Sequence, residues 1–129
     1  MIIALKTKIG SKLLIVSPEC VTVYEGIPVP SPDLGGQAWN YFVPIIKAAD
    51  SSIDLYQVQA YNNWYGGIPG GSFNYLKEVY LNWRNLPSGI PWSSAIPDFS
   101  GVNPNKLLMG VLASTSAGIS SYYAPPNVI

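Results

Sequence analysis

The stretch IDLYQVQAYNNWYGG, residues 53–67, begins as an apolar strand and ends in amide and aromatic side chains. Its members that suit the interior of a strand are Ile53, Leu55, Tyr56, Val58 and Ala60. Those that do not suit a strand interior are Gln57, Gln59 and Asn62, and Trp64 and Tyr65 follow at once. The residues alone leave two interpretations open: a polar site with a flat aromatic wall at the end of a buried strand, or an exposed hairpin whose polar side chains face solvent.

Two further apolar runs lie on either side of this segment, and each ends in a polar loop. Together the three runs predict strands at about residues 12–17, 53–61 and 106–114. Amphipathic segments at Gln37–Ala49 and Ser72–Leu86 separate them. This order is typical of an α/β protein with a parallel sheet covered by helices, whose ligands bind at the carboxyl ends of the strands. The polar strand ends are Ser17–Cys20, Gln59–Asn63 and Ser114–Ser116.

The helical segments carry their own boundary signals. The first, Ile3–Ile9, is followed by Gly10, and glycine commonly ends a helix. In the second segment, Pro44 either removes one backbone hydrogen bond or places the start of the helix near Val43. Ser72 is a suitable N-cap for the last helix. The residues predicted to form one apolar face of that helix are Phe73, Leu76, Val79, Tyr80 and Trp83.

The composition limits the partners and the chemistry. Of the 129 residues only 11% are charged, and the formal net charge is zero, which argues against nucleic acid and acidic membranes as partners. There is no histidine, and the one cysteine, Cys20, is expected to be a buried thiol, so no metal site and no cofactor is predicted. The apolar runs are too short to span a membrane, and residues 1–5 do not resemble a signal peptide. The cellular location is left open.

Three segments resemble strands of one enzyme family. KLLIVSPE (residues 12–19) resembles the fifth barrel strand of family 18 glycoside hydrolases, the chitinases, which ends in Ala-Pro-Glu or Ala-Pro-Gln. IDLYQVQAYNN (53–63) is similar to the sixth strand, which ends in Gln-x-Tyr-Asn, and NKLLMGVLAST (105–115) is similar to the seventh. The resemblance implies an α/β fold of the (β/α)8 TIM-barrel type. Residues 1–129 would form a C-terminal portion of that domain, a partial barrel of parallel strands with outer helices.

The chain also departs from the family pattern. The family motif Asp-x-x-Asp-x-Asp-x-Glu, whose final Glu is the general acid, has no counterpart among the seven acidic residues. The chain stops before the family's eighth strand and its tryptophan, and Leu112 stands where the seventh strand usually has proline. This chain by itself is therefore predicted to be inactive, and whether it is part of an enzyme is left open.

The resemblance implies roles for residues at the strand ends. In family 18 enzymes the N-acetyl oxygen of the substrate is the nucleophile. The resemblance implies that the Tyr61 hydroxyl contacts the acetamido group and stabilises the intermediate, and that Trp64 and Tyr65 stack on sugar faces. The residues implied for substrate binding are Glu19, Gln59, Tyr61, Asn62 and Trp64. The alternatives are that these amides satisfy buried polar groups of a barrel and that Glu19 bonds within its own loop.

The implied function is substrate-assisted, retaining hydrolysis of β-1,4-linked N-acetylglucosamine polymers, with the general acid missing from this chain. One alternative is a non-catalytic, lectin-like protein of the same fold that binds chitin or chitooligosaccharides, and another is an unrelated α/β chain that serves assembly. A partial barrel leaves its inner face and its strand edges without partners, so self-association or pairing with the missing barrel segments is expected. The residues expected on that inner face are Leu14, Val16, Val58, Leu108 and Val111.

Overall fold

A computed structural model describes residues 1–24, 31–34, 37–63, 65–85 and 99–129 of the chain. Its helices are α1 (Ile2–Ile9), α2 (Val43–Ala49) and α3 (Phe73–Trp83). Its strands are β1 (Ile15–Val16), β2 (Ser31–Leu34), β3 (Gln37–Trp39), β4 (Leu55–Gln59) and β5 (Leu107–Gly110). Single turns of 3₁₀ helix lie at Cys20–Thr22, Asp50–Ser52, Pro104–Lys106 and Ser120–Tyr122.

The main sheet has three parallel strands in the order β1-β4-β5. In the central strand, β4, Leu55 pairs with Ile15 of β1 and Gln57 pairs with Leu108 of β5. Parallel neighbours need a crossover connection, and α2 and α3 lie in the two crossovers along the chain. β2 and β3 form a separate antiparallel pair. The predicted α/β fold with parallel strands and helices is confirmed, although each strand is shorter than its predicted range.

The two faces of the main sheet differ in what covers them. On one face Tyr56, Val58 and Leu107 are buried in a core that also contains side chains of α2 and α3. The opposite side is called the open face below, and its residues are Ile15, Glu19, Gln57, Gln59, Leu108 and Gly110. Ile15 and Leu108 are both 46% exposed there. The open face is therefore partly apolar and partly amide-rich.

Two expectations about side-chain direction are wrong. Val58, expected on the inner face, is fully buried in the core with α2 and α3, and Val16 packs against the same core. Because side chains alternate along a strand, a shift of one residue exchanges the two faces. On α3, Phe73 is 62% exposed, whereas Tyr75 is fully buried. Of the five residues expected on the inner face, Leu108 does lie on the open face.

The helix boundaries follow the local signals. Residues Gln37–Trp39 form β3, so the second interpretation of Pro44 is correct: α2 begins at Val43 and the proline lies in its first turn. A proline there costs no helix bond, because the first N–H groups have no partner within the helix. The predicted cap of α3 is confirmed, since the Ser72 hydroxyl accepts a hydrogen bond from the Tyr75 backbone N–H at 3.1 Å.

Two carboxylates are held at the amino edge of the main sheet. Asp54 accepts hydrogen bonds from the Leu14 backbone N–H, at 2.7 Å, and from the Lys6 ammonium group. The Leu14 bond and then the Lys6 bond lower the pKa of Asp54. Lys106 Nζ lies 3.2 Å from Asp50 Oδ2. These acids are thus at the opposite edge from the polar strand ends.

Candidate functional site

The carboxyl ends of the three parallel strands lie side by side at one edge of the main sheet, called the carboxyl edge below, where hydrogen bonds connect them. Glu19 pairs with Gln59 in a parallel bridge beyond the end of β1. The side-chain amide nitrogen of Gln59 donates a hydrogen bond to the Ser17 carbonyl oxygen at 2.6 Å. On the other side of β4, the Ala60 N–H donates to the Gly110 carbonyl oxygen at 2.9 Å. Glu19, Gln59 and Gly110 are therefore neighbours at the carboxyl edge.

Gln59 and Tyr61 offer hydrogen-bonding groups at this edge. The nitrogen of the Gln59 side chain bonds to Ser17, and its amide oxygen is a hydrogen-bond acceptor. Tyr61 lies two residues beyond β4 and is partly exposed, and its carbonyl oxygen accepts from the Asn63 side chain at 3.1 Å. Among the described residues no hydrogen bond is formed by the Tyr61 hydroxyl. An amide oxygen and a phenolic hydroxyl thus lie at the end of β4.

Asn62 connects the end of β4 to the loop that follows β5. It has a φ of 61°, a left-handed conformation that asparagine tolerates better than most residues. Its Oδ1 accepts a hydrogen bond from the Ile119 N–H at 2.8 Å. A Cβ atom at Gly118 would lie 2.8 Å from Asn62 Oδ1, so glycine permits this close approach. The same loop carries Ser114 and Ser116, both exposed, with their hydroxyl oxygens 3.0 Å apart.

Glu19 is exposed at the site, and near it lies an aromatic residue that the sequence does not indicate, Tyr41. Burial and then the Glu19 carboxylate raise the pKa of the Tyr41 hydroxyl. Tyr41 is held by the preceding residue, Asn40, which is fully buried with a φ of 57°. The Asn40 side chain accepts from the Tyr24 N–H at 2.5 Å and donates to the Tyr24 carbonyl at 2.9 Å. No local sequence pattern marks this position, because the bonds of Asn40 reach a residue 16 positions away.

A buried network lies behind the strand ends, on the helix-covered side. The Tyr75 hydroxyl donates to the Asn63 carbonyl oxygen at 3.1 Å and lies 3.4 Å from Cys20 Sγ. The Trp83 indole N–H donates to the Cys20 carbonyl oxygen at 3.1 Å. Burial raises the pKa of the Cys20 thiol to about 11, although the Tyr75 bond acts in the other direction. The expectation of a buried thiol is confirmed, and such a group is a poor nucleophile.

The two aromatic residues proposed to stack on sugars have different outcomes. Tyr65 is fully buried, and its hydroxyl donates to the Val23 carbonyl oxygen at 2.9 Å. Its predicted stacking role is therefore wrong, because its ring packs edge-on against Tyr24 in the core. Trp64 lies outside the described residues, so its role stays a prediction.

The described segments contain neither a cluster of metal ligands nor a membrane-spanning helix. No three His, Cys, Asp or Glu side chains of these segments are grouped as a metal site would require. The described helices also lack the length and hydropathy that a bilayer-spanning helix needs.

Comparison with solved structures finds a match over nearly the whole chain. The structure aligns with a family GH18 chitinase from Chromobacterium violaceum with a TM-score of 0.69 and 26% identity, over 97% of this chain and 33% of that chain. The chain is similar in structure to a chitinase. It spans about a third of that chitinase's length. No family model and no curated protein matches the sequence. The likeness supports a chitinase-like relationship.

Proposed function

We propose that residues 1–129 are a C-terminal portion of a chitinase-like (β/α)8 barrel, and that β1, β4 and β5 are its strands five to seven. The likeness to a third of a chitinase supports this assignment, and so does the order of the three parallel strands. In a closed barrel the open face would be directed to the interior. The carboxyl edge, with Gln59 and Tyr61, would line the substrate cleft.

The observation that carries the proposal is the presence of Gln59 and Tyr61 at the carboxyl edge of a sheet with a chitinase-like fold. The proposed substrate class is β-1,4-linked N-acetylglucosamine polymers. In substrate-assisted, retaining hydrolysis the acetamido oxygen attacks the anomeric carbon, and positive charge develops on the resulting ring. The Tyr61 hydroxyl donates to the acetamido oxygen and holds it beside the anomeric carbon. The electron-rich oxygen atom of the same hydroxyl stabilises the positively charged intermediate. The Gln59 amide oxygen accepts from the sugar.

The other predicted ligand contacts are constrained by the bonds already made. Asn62 binds the Ile119 N–H through its oxygen, so only its amide nitrogen is assigned to the sugar. Glu19 is exposed and accepts hydrogen bonds from sugar hydroxyl groups. Trp64 stacks on a sugar face. Each of these roles is part of the proposal.

Hydrolysis also needs a proton donor for the leaving oxygen, and we assign that donor to another segment of the barrel. Glu19 follows the strand that we assign as the fifth, whereas the family's acid follows the fourth. Asp50 and Asp54 bond to lysines at the amino edge of the sheet. This placement of the described acids also favours a second candidate, a lectin-like protein of the same fold that binds chitooligosaccharides without cleaving them. An in-frame Asp-x-x-Asp-x-Asp-x-Glu sequence upstream of the Met1 codon would favour hydrolysis over this candidate.

The open face gives the protein a second kind of partner. Its exposed apolar side chains and the outer edges of β1 and β5 are suited to further strands of a barrel, or to a second copy of the chain. We therefore expect self-association, or pairing with complementary barrel segments when these are present.

The test of the proposed site is an NMR titration of the ¹⁵N-labelled chain with an N-acetylglucosamine tetramer and with a thiazoline that mimics the intermediate. Shifts are expected at Glu19, Gln59 and Tyr61. Tyr61→Phe should weaken thiazoline binding by about tenfold or more, since a hydrogen bond to a charged group contributes about 1.5–3 kcal/mol. The matched control is Tyr80→Phe, because Tyr80 lies on α3 and its hydroxyl accepts a hydrogen bond from Arg84, just beyond the helix. Equal affinities in wild type and Tyr61→Phe, or no binding by the wild type, would overturn the proposal.

A further inference from the structure

Two strand ends of the candidate site depend on one buried hydroxyl group. Tyr75, in the first turn of α3, is fully buried. Its hydroxyl donates to the carbonyl oxygen of Asn63, two residues after Tyr61. The same hydroxyl lies 3.4 Å from Cys20 Sγ, and either atom can be the donor of this second hydrogen bond. The Tyr75 hydroxyl therefore joins the segment after β1 to the segment after β4.

The link made by the Tyr75 hydroxyl lies on the other side of the sheet from the side chains proposed to bind the ligand. The last backbone pair between the two segments is Glu19 with Gln59, and beyond it the chain leaves the sheet. Tyr75 contacts the residues that follow, Cys20 and Asn63, from the helix-covered side. The opposite side carries the Glu19 carboxylate and the Gln59 amide.

The helix that carries Tyr75 is itself fixed at both ends. At its start the Ser72 hydroxyl accepts from the Tyr75 N–H. At its end the Trp83 indole donates to the Cys20 carbonyl oxygen. Cys20 is thus bound by α3 through both its thiol and its carbonyl group. Burial raises the pKa of Tyr75 and of Cys20, so the link stays neutral at physiological pH.

From this arrangement we propose that Tyr75 is a positioning residue of the candidate site, whose hydroxyl sets the distance between Glu19 and Tyr61. The inference rests on the proposed function, because the affinity it governs is that of the strand ends for a chitooligosaccharide. Tyr75 itself does not touch the ligand. Its effect on binding is transmitted through the Asn63 carbonyl and the Cys20 thiol.

The test compares two substitutions that each remove a tyrosine hydroxyl from the same core. Tyr75→Phe removes the link, and the matched control Tyr56→Phe removes a hydroxyl that donates to Asp50 at 2.8 Å at the amino edge. Both rings are fully buried, so both variants should unfold at lower urea concentration than the wild type. Affinity for the N-acetylglucosamine tetramer, measured by NMR titration, separates them. Tyr75→Phe should weaken it by on the order of fivefold, whereas Tyr56→Phe should leave it within about twofold.

The outcomes distinguish this inference from the proposed function. A wild-type chain that binds the tetramer, with Tyr75→Phe binding equally well or no worse than Tyr56→Phe, would overturn the positioning role and leave the proposed function standing. A wild-type chain that does not bind would overturn both. If Tyr75→Phe does not fold, Cys20→Ala decides, because it removes only the thiol side of the link. Its affinity should fall by about twofold to threefold, and an unchanged affinity would refute the inference.

Discussion

The open face should determine the association state of the chain. Ile15 and Leu108 are both 46% exposed on this face. Complete burial of such a side chain contributes about 1.5–3 kcal/mol, so covering the exposed half of each contributes about 1 kcal/mol. Two chains packed face to face would cover four of these side chains and gain about 4 kcal/mol from them. That corresponds to roughly a thousandfold in dissociation constant.

The test uses the double substitution Ile15→Gln and Leu108→Gln. It replaces the two exposed apolar side chains of the open face by amides like those of Gln57 and Gln59. Sedimentation velocity at micromolar concentration should show an associated wild type and a monomeric double variant. Phe73→Gln is the control, because Phe73 is 62% exposed on α3, away from the open face, and should leave association unchanged. A compact, stable wild-type monomer without any partner would refute the reasoning, and so would equal loss of association in the control.

Three further predictions follow from the described contacts. The purified chain should not hydrolyse chitin or a fluorogenic chitobioside, because the missing proton transfer contributes about 10²–10⁴-fold; turnover that Glu19→Gln abolishes would contradict this. The Leu14 N–H bond to Asp54 lowers the folded-state pKa of that carboxyl, so its stabilising effect is present above about pH 4 and is lost as the pH falls through the folded-state value. Asp54→Asn should therefore flatten the acid-side decline of the urea midpoint, and an equally steep decline in the variant would count against this account. Gly101 and Gly67 have φ values of 76° and 75°. A Cβ atom at Gly101 would lie 2.3 Å from a backbone carbon just beyond α3, whereas one at Gly67 would have no atom of the described residues within 4 Å. Gly67→Ala should cost about 1–2 kcal/mol in urea unfolding and Gly101→Ala at least about 2 kcal/mol more; equal costs would show that the close contact is unimportant.

Local chemistry made some of the fold predictable from the sequence. Ser72 and Gly10 mark helix ends because capping depends on residues that are close in sequence. The proline at position 44 fixed the start of α2 near Val43 for the same reason. The parallel order followed from the alternation of strands and helices, which leaves few ways to cover an apolar sheet.

The side of each element that faces the core was harder to predict. Hydrophobicity favoured Phe73 over Tyr75 as a core residue of α3, yet burial of Tyr75 is stabilised by its hydrogen bond to Asn63, a partner 12 residues away. Asn82 is also fully buried, with its amide donating to the Glu78 carbonyl oxygen at 2.8 Å. When a polar residue lies on the core-facing side of a helix, the spacing of the apolar residues no longer shows which side of the helix is buried.

In the candidate site, too, residues marked by the local sequence could be predicted, whereas a residue placed by distant contacts could not. The end of β4 stood out in the sequence because amides and tyrosine interrupt an apolar strand at Gln59 and Tyr61. Tyr41 did not stand out, since its place near Glu19 depends on the two bonds that Asn40 makes to the backbone of Tyr24. Contacts between residues 16 or more positions apart leave no local pattern in the chain.

The burial of Cys20 makes the thiol a reporter of motion at the candidate site. It is the only cysteine in the sequence, and its side chain is covered where α3 meets the segments after β1 and β4. An aromatic disulfide reagent can label it only when this contact opens, so the labelling rate measures how often α3 lifts away. A sugar that binds across the strand ends should slow labelling in proportion to its occupancy. The thiol thus supplies an assay for ligand binding that needs no attached probe and no catalytic turnover.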